Sequence, residues 1–251
     1  MISETIKNTP RAIIPYITAG LPSLDKTGEI IKILSRSGAA AIEIGLPFSD
    51  PMADGPVIQK ASKMAIDAGF SLDGFFCHLN GWCTSTHTPI IVMSYINPVM
   101  RRGIYETMDR LKACGVSGLI VPDLPTDPMD IFDISSTIGL DLIRLVAPTT
   151  KTDRIRQILD QCMGFVYAVS VKGVTGARED IPDGLKQQVK SIKSMTDLPV
   201  CVGFGVSKKE HVDDILTFAD GVIVGSYLIE NIIGSPNPTG AVRKAFSRLI
   251  E

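Results

Sequence analysis

The sequence has no apolar run long enough to cross a bilayer. Its longest, such as Ala12–Ile17 and Pro89–Met93, fall far short of the roughly 20 residues a membrane helix requires. It also has no block of like charge. Twenty-five Lys and Arg stand against 27 Asp and Glu, for a net charge of −2, which removes the electrostatic footprint of a nucleic-acid or anionic-membrane ligand. The N-terminal stretch MISETIKNTPR is polar and mixed in charge, without the apolar core of a signal peptide, so export is not expected. Five cysteines (Cys77, Cys83, Cys114, Cys162, Cys201) form no CxxC pair. An odd count in apolar surroundings reads as buried, reduced thiols in a cytoplasmic protein. Three histidines (His78, His87, His211) lie among polar residues without ligand spacing, so they are expected at the surface and no metal is expected. No linker rich in Pro, Gly or Ser divides the chain, and residues 1–251 are read as one domain.

What remains is a globular composition, 45% hydrophobic and 21% charged, which excludes intrinsic disorder. Short runs rich in Val and Ile recur at Ala12–Thr18, Ala40–Ile44, Pro89–Tyr95, Gly118–Val121, Leu142–Ala147, Phe165–Val169, Val200–Gly203 and Gly221–Val224. Unbroken apolarity suits strands covered on both faces. Between them lie helical stripes, among them Ile30, Ile31, Ile33 and Leu34, then Met108 and Leu111 before a stop at Gly115, then Ile155, Ile158, Leu159 and Cys162, then Val189, Ile192 and Met195. Eight strand–helix units in 251 residues give about 31 residues each, the arithmetic of a (β/α)8 TIM barrel. An open doubly wound sheet would manage with fewer strands, and no GxGxxG follows the first. The long interval between the second and third strands implies extra helix there. Ile2–Thr9 is a candidate short helix closing the barrel floor.

In a barrel the chemistry sits where strands run into the following loops. Glu43 lies within the second strand between Ile42 and Ile44, so alternation points it away from both isoleucines and toward the barrel mouth. A carboxyl there is costly unless paired or protonated, and desolvation raises its pKa toward the range of a general acid or base. A structural buried carboxylate is the alternative. Asp50 and Asp54 follow in SDP and ADGP, contexts in which aspartate caps turns, although the flanking prolines and glycine also define the loop well enough to hold a side chain at a site. Tyr16 and Thr18 end the first strand, Tyr95 and Asn97 the third, Asp123 follows the fourth in VPDLP, and Tyr167 lies in the sixth. Their rings suit a flat bicyclic substrate or plain barrel packing. Glycine-bearing segments follow the last three strands: KGVTG at 172–176, GFGVS at 203–207 and GS at 225–226. They suit a phosphate held by backbone N–H groups and by the N-terminus of an extra helix after strand eight, with Ser226 as its cap.

The run from Glu43 to Gln59, E-x-G-x-P-F-S-D-P-x-A-D-G-P-x-I-Q, resembles the signature of the tryptophan synthase alpha subunit family. The resemblance extends in order from IPYITAGLPS to GVIVGS. It implies retro-aldol cleavage of indole-3-glycerol phosphate to indole and glyceraldehyde 3-phosphate, with Glu43 and Asp54 as the catalytic pair. It implies that Tyr95, Asp123 and Tyr167 line or support the pocket, with Asp123 also communicating with a partner. Thr175 would lie on a lid that positions Asp54, and the backbone of Gly176, Gly205, Gly225 and Ser226 would hold phosphate. The chain itself would need no cofactor. Its partner would be a pyridoxal-phosphate-dependent beta subunit in an αββα heterotetramer, docked against Pro47–Pro56 and Asn97–Arg102, where an exposed apolar patch is expected. The chain departs from the family pattern at Leu21, at Lys172 and at Tyr227, none of which removes a catalytic group. A stand-alone lyase, another phosphate-binding barrel and a subunit that chiefly activates its partner are the competing readings.

Overall fold

The computed structural model describes residues 2–125, 129–170, 183–203 and 205–251. Eight parallel strands close into a barrel in sequence order: β1 (Ile13–Thr18), β2 (Ile42–Gly45), β3 (Ile90–Met93), β4 (Gly118–Ile120), β5 (Asp141–Val146), β6 (Val166–Val169), β7 (Val200–Gly203) and β8 (Gly221–Val224). β1 pairs with both β2 and β8, so no sheet edge is left open. The continuous apolarity of the strands has its cause here, since both faces are covered. Outward residues such as Ile13, Ile42, Ile44, Val92, Leu119, Val166 and Val222 meet the helices. Inward residues Ile14, Ala41, Ile91, Ile120, Ile143, Phe165, Cys201 and Ile223 form a separate interior cluster. α1 (Ile2–Asn8) closes that cluster from below with Ile2 and Ile6, as the sequence suggests.

The helices begin where local chemistry dictates. Before α2 (Leu24–Arg36), Ser23 accepts a hydrogen bond from the Lys26 N–H at 3.2 Å, and Thr27, Ile30, Ile31 and Leu34 bury one face. The β2–β3 interval carries two helices, α3 (Pro56–Asp67) and α4 (Leu72–Thr84). The β3–β4 interval also carries two, α5 (Ile96–Arg101) and α6 (Ile104–Ala113). Among the described residues, α7 (Met129–Ile138), α8 (Thr152–Asp160), α9 (Asp183–Lys193) and α10 (Lys209–Leu216) follow β4, β5, β6 and β7 in turn. After β8 come α11 (Ser226–Ile233) and α12 (Pro238–Ile250).

Four expectations need correction. β3 ends at Met93, and Tyr95 is instead the N-cap residue of α5, with Asn97 inside that helix. His211 is buried, sharing the inner face of α10 with Val212 and Ile215 at helical spacing, while His78 is half-buried. Cys77 is exposed, because it lies on the outer side of α4 from Phe76. Gly225, not Ser226, occupies the N-cap of α11, and no side chain caps that helix. All five cysteines are free. Among the described residues no helix is long and apolar enough to cross a membrane, and no cluster of His, Cys, Asp or Glu is arranged to hold a metal.

Candidate active site

Strand alternation puts Tyr16, Glu43, Met93 and Tyr167 in the layer above the interior cluster, with Tyr16 beside Glu43 in the register. β2 and β7 end in Gly45, paired with Met93, and Gly203, two residues beyond Cys201. A Cβ on Gly45 would lie 2.0 Å from the Tyr16 hydroxyl, and one on Gly203 would lie 2.5 Å from the Tyr167 ring. Each ring therefore folds over a bare backbone. The i, i+2 parity from Glu43 to Gly45 and from Cys201 to Gly203 is readable in the sequence.

Glu43 is 1% exposed, and its Oε2 has no hydrogen-bond partner among the described residues. Burial, reinforced by the nearby negative charge of Asp54, lifts its pKa from 4.5 to about 8. Burial therefore favours the protonated carboxyl at neutral pH, with Oε2 free of any partner among the described residues. Asp54 comes from the β2–α3 loop. Burial raises it from 3.8 to about 6, while the adjoining Tyr95 hydroxyl favours the carboxylate and pulls the value down. At pH 7 the pair thus holds one acid and one carboxylate, separated by environment rather than by residue type. Burial and the Asp54 charge also raise Tyr16 well above its ordinary range, and burial and Glu43 do the same to Tyr167. Both phenols stay neutral.

The loop carrying Asp54 is held from several sides. The Asp54 N–H donates to Pro51 O at 3.1 Å, and Gln59 Nε2 donates to Asp54 O at 2.8 Å. The Ala53 N–H donates to the Tyr95 hydroxyl oxygen at 2.9 Å. Phe48 stacks on Tyr95 with centroids 5.2 Å apart and planes 28° apart. Phe48 escapes the sequence reading because its partner lies in another βα unit. Asp123, exposed after β4, accepts from the Ile96 N–H at 2.9 Å.

On the other side of β1 from β2, the mouth is built by β8 and α11. The first helical bond of α11 is Ile229 N–H to Gly225 O at 3.0 Å, so the amides of Ser226, Tyr227 and Leu228 have no partner within the helix and form an anion-seeking end. α11 has no acidic residue in its first turn. Gly225 lies against Tyr16, where even a Cβ would make only ordinary contact at 3.4 Å. Gly205 is described, in the loop after β7. Thr175 and Gly176, together with Lys172, lie outside the described residues. Leu21 is buried and Tyr227 is half-buried on α11. Met52, in the Asp54 loop, is 89% exposed, and Met100, on α5, is 57% exposed.

Residues 2–247 match the family model described as tryptophan synthase alpha chain. The tryptophan synthase alpha chain of Carboxydothermus hydrogenoformans is 45% identical over 233 residues, covering 92% of this chain and 87% of that protein. That of Bacillus cereus is 43% identical over 230 residues, covering 91% and 89%. Among solved structures, the tryptophan synthase A-subunit of Pyrococcus furiosus superimposes with a TM-score of 0.90 at 37% identity, covering 95% of this chain and 97% of that one. The tryptophan synthase complex of the same organism matches at a TM-score of 0.89, again at 37% identity, covering 95% of this chain and 97% of that one.

Proposed function

The chain belongs to the tryptophan synthase alpha chain family, and from that premise we propose that Glu43 and Asp54 together cleave indole-3-glycerol phosphate to indole and glyceraldehyde 3-phosphate. The observation that carries this reading is the placement of Glu43, buried at the end of β2 with Oε2 unpartnered among the described residues, near Asp54 on the loop that Tyr95 anchors; these environments favour a neutral acid at Glu43 and a carboxylate at Asp54. The bond to be broken joins indole C3 to a carbinol carbon. It breaks easily only after C3 is protonated, because the resulting iminium accepts the bonding electrons. Glu43, protonated and desolvated at the mouth, is the donor. Asp54 stabilises the positive charge that develops at the indole N–H. As the bond opens, the carbinol hydroxyl loses its proton and becomes the aldehyde, the electron pair returns to the ring, and C3 keeps the proton from Glu43. The Glu43 carboxylate so formed is the base at hand for the hydroxyl proton, which restores the acid. This route uses no metal, no Schiff base and no cofactor in this chain.

Tyr16, Tyr95 and Tyr167 form the aromatic walls for the indole, and Asp123 supports them. The open amides of α11, with the backbone of Gly225, Ser226 and Gly205, hold the phosphate. By family resemblance Thr175 and Gly176, outside the described residues, also take part in binding substrate and phosphate. We read residues 1–251 as one (β/α)8 domain acting in the cytoplasm. The exposed Met52 and Met100 on adjacent segments supply an apolar face suited to a beta subunit, in an αββα assembly whose pyridoxal phosphate resides in that partner.

The test is indole release from indole-3-glycerol phosphate by the chain alone and with a tryptophan synthase beta chain added. Release that rises by orders of magnitude with the partner supports the subunit reading. Strong release that ignores the partner supports a stand-alone lyase. No release in either condition refutes the assignment.

A further inference from the structure

Asp123, exposed after β4, lies 27 residues beyond Ile96, and one of its carboxylate oxygens accepts the Ile96 N–H at 2.9 Å. Ile96 is the first residue of α5, a helix whose own N-cap, Tyr95, offers no side-chain bond to the free amides. Asp123 therefore supplies from another βα unit the capping oxygen that α5 lacks locally. The residue so fixed is Tyr95, whose ring is buried and stacked on Phe48. Its hydroxyl oxygen accepts the Ala53 N–H at 2.9 Å, which leaves its proton free for the neighbouring Asp54 carboxylate.

We propose that Asp123 is a positioning residue for Asp54: it fixes the start of α5, and through Tyr95 it holds the β2–α3 loop at Ala53, without itself touching substrate. The inference rests on the role of Asp54 proposed above. The role asked of Asp123 is that of an acceptor, not of a charge. Its exposure means that its loss leaves the core untouched, so variants fold.

The titratable groups facing Asp54 among the described residues are Tyr16 from β1, Glu43 from β2, Tyr95 at the start of α5 and Tyr167 from β6. Of these, Tyr95 is the one that favours the ionised form of Asp54. Releasing Tyr95 raises the pH at which Asp54 ionises.

The experiment compares kcat, KM and the pH profile of kcat/KM for Asp123→Asn, Asp123→Ala, Tyr95→Phe and the double variant Asp123→Ala with Tyr95→Phe, using indole-3-glycerol phosphate. Asp123→Asn keeps an acceptor oxygen and stays within about threefold of wild type. Asp123→Ala loses about tenfold, chiefly in kcat, because misplacement costs the transition state. Its acid limb moves up by roughly half a pH unit. Tyr95→Phe does the same, and adding Asp123→Ala to it costs less than about threefold more, because both act through one contact. The proposal is overturned if Asp123→Asn is as damaging as Asp123→Ala, if the acid limb stays in place, or if the two losses multiply in the double variant. Asp54→Asn is the control. If it alone retains wild-type activity, the role of Asp54 fails and this inference with it. If it is inactive while the losses multiply, only the positioning role of Asp123 fails.

Discussion

Replacing Glu43 by glutamine should stabilise the protein while abolishing its chemistry, and the stabilisation should grow with pH. The fold binds the Glu43 proton more tightly than the unfolded chain does, with a pKa of about 8 against an ordinary 4.5. Stability from this group is therefore complete below pH 4.5 and drains away as pH rises through 8. At about 1.4 kcal/mol per pH unit, ionisation costs the wild-type fold about 1 kcal/mol at pH 5, about 3 kcal/mol at pH 7 and nearly 5 kcal/mol at pH 9. Glutamine carries no charge to desolvate. Any penalty for its amide in a site where Oε2 already lacks a partner is the same at every pH. Urea unfolding at pH 5, 7 and 9 should show the stability of Glu43→Gln relative to wild type rising by about 4 kcal/mol across that range. A difference that is flat with pH would mean that Glu43 is ionised and solvated or paired in the native state. The acid assigned to it would then not exist.

The divided pair sets the pH profile of kcat/KM. The reaction requires Asp54 ionised and Glu43 protonated, so steady-state assays should give a bell with limbs near 6 and 8. A profile level from pH 5 to 9 would contradict the assignment. Gly45→Ala places a methyl where the Tyr16 hydroxyl lies, 2.0 Å away; it should cost about 1–3 kcal/mol in chemical unfolding and at least tenfold in kcat/KM. Wild-type behaviour would show that the ring is not seated there. Ile6→Ala removes part of the floor that α1 gives the barrel and should cost about 3 kcal/mol in urea unfolding, yet leave kcat within about twofold, since the floor lies at the far end from the chemistry.

The barrel was legible because its strands are buried on both faces, and that burial writes itself as unbroken apolarity. Glu43 stood out for the same reason, as the charged interruption of one such run. What the sequence hides is set by partners distant along the chain. Tyr95 reads as the end of β3, yet the strand stops at Met93 and Tyr95 is the N-cap of α5, whose first N–H is bonded by Asp123 from another βα unit. The Phe48–Tyr95 stack likewise joins two units that no local pattern connects. Ser226 carries the right chemistry for a cap, but Gly225 occupies that position and leaves the first-turn amides open to an anion. His211 carries a local signal of burial, since it precedes Ile215 by four residues on an apolar stripe, but its sequence neighbours are polar. Cys77 shows the converse, an outward position inside an apolar run.

In the proposed mechanism one protonated and one ionised carboxyl perform the cleavage. Its most direct test is the single-turnover rate of indole release at pH 7 by wild type, Glu43→Gln and Asp54→Asn, each verified as folded by circular dichroism. Both variants should lose at least about a hundredfold, with Glu43→Gln the more thoroughly inactive because it removes the proton that C3 must receive. Cleavage by Glu43→Gln at a rate near wild type would contradict the account, since indole C3 would then be taking its proton from another group.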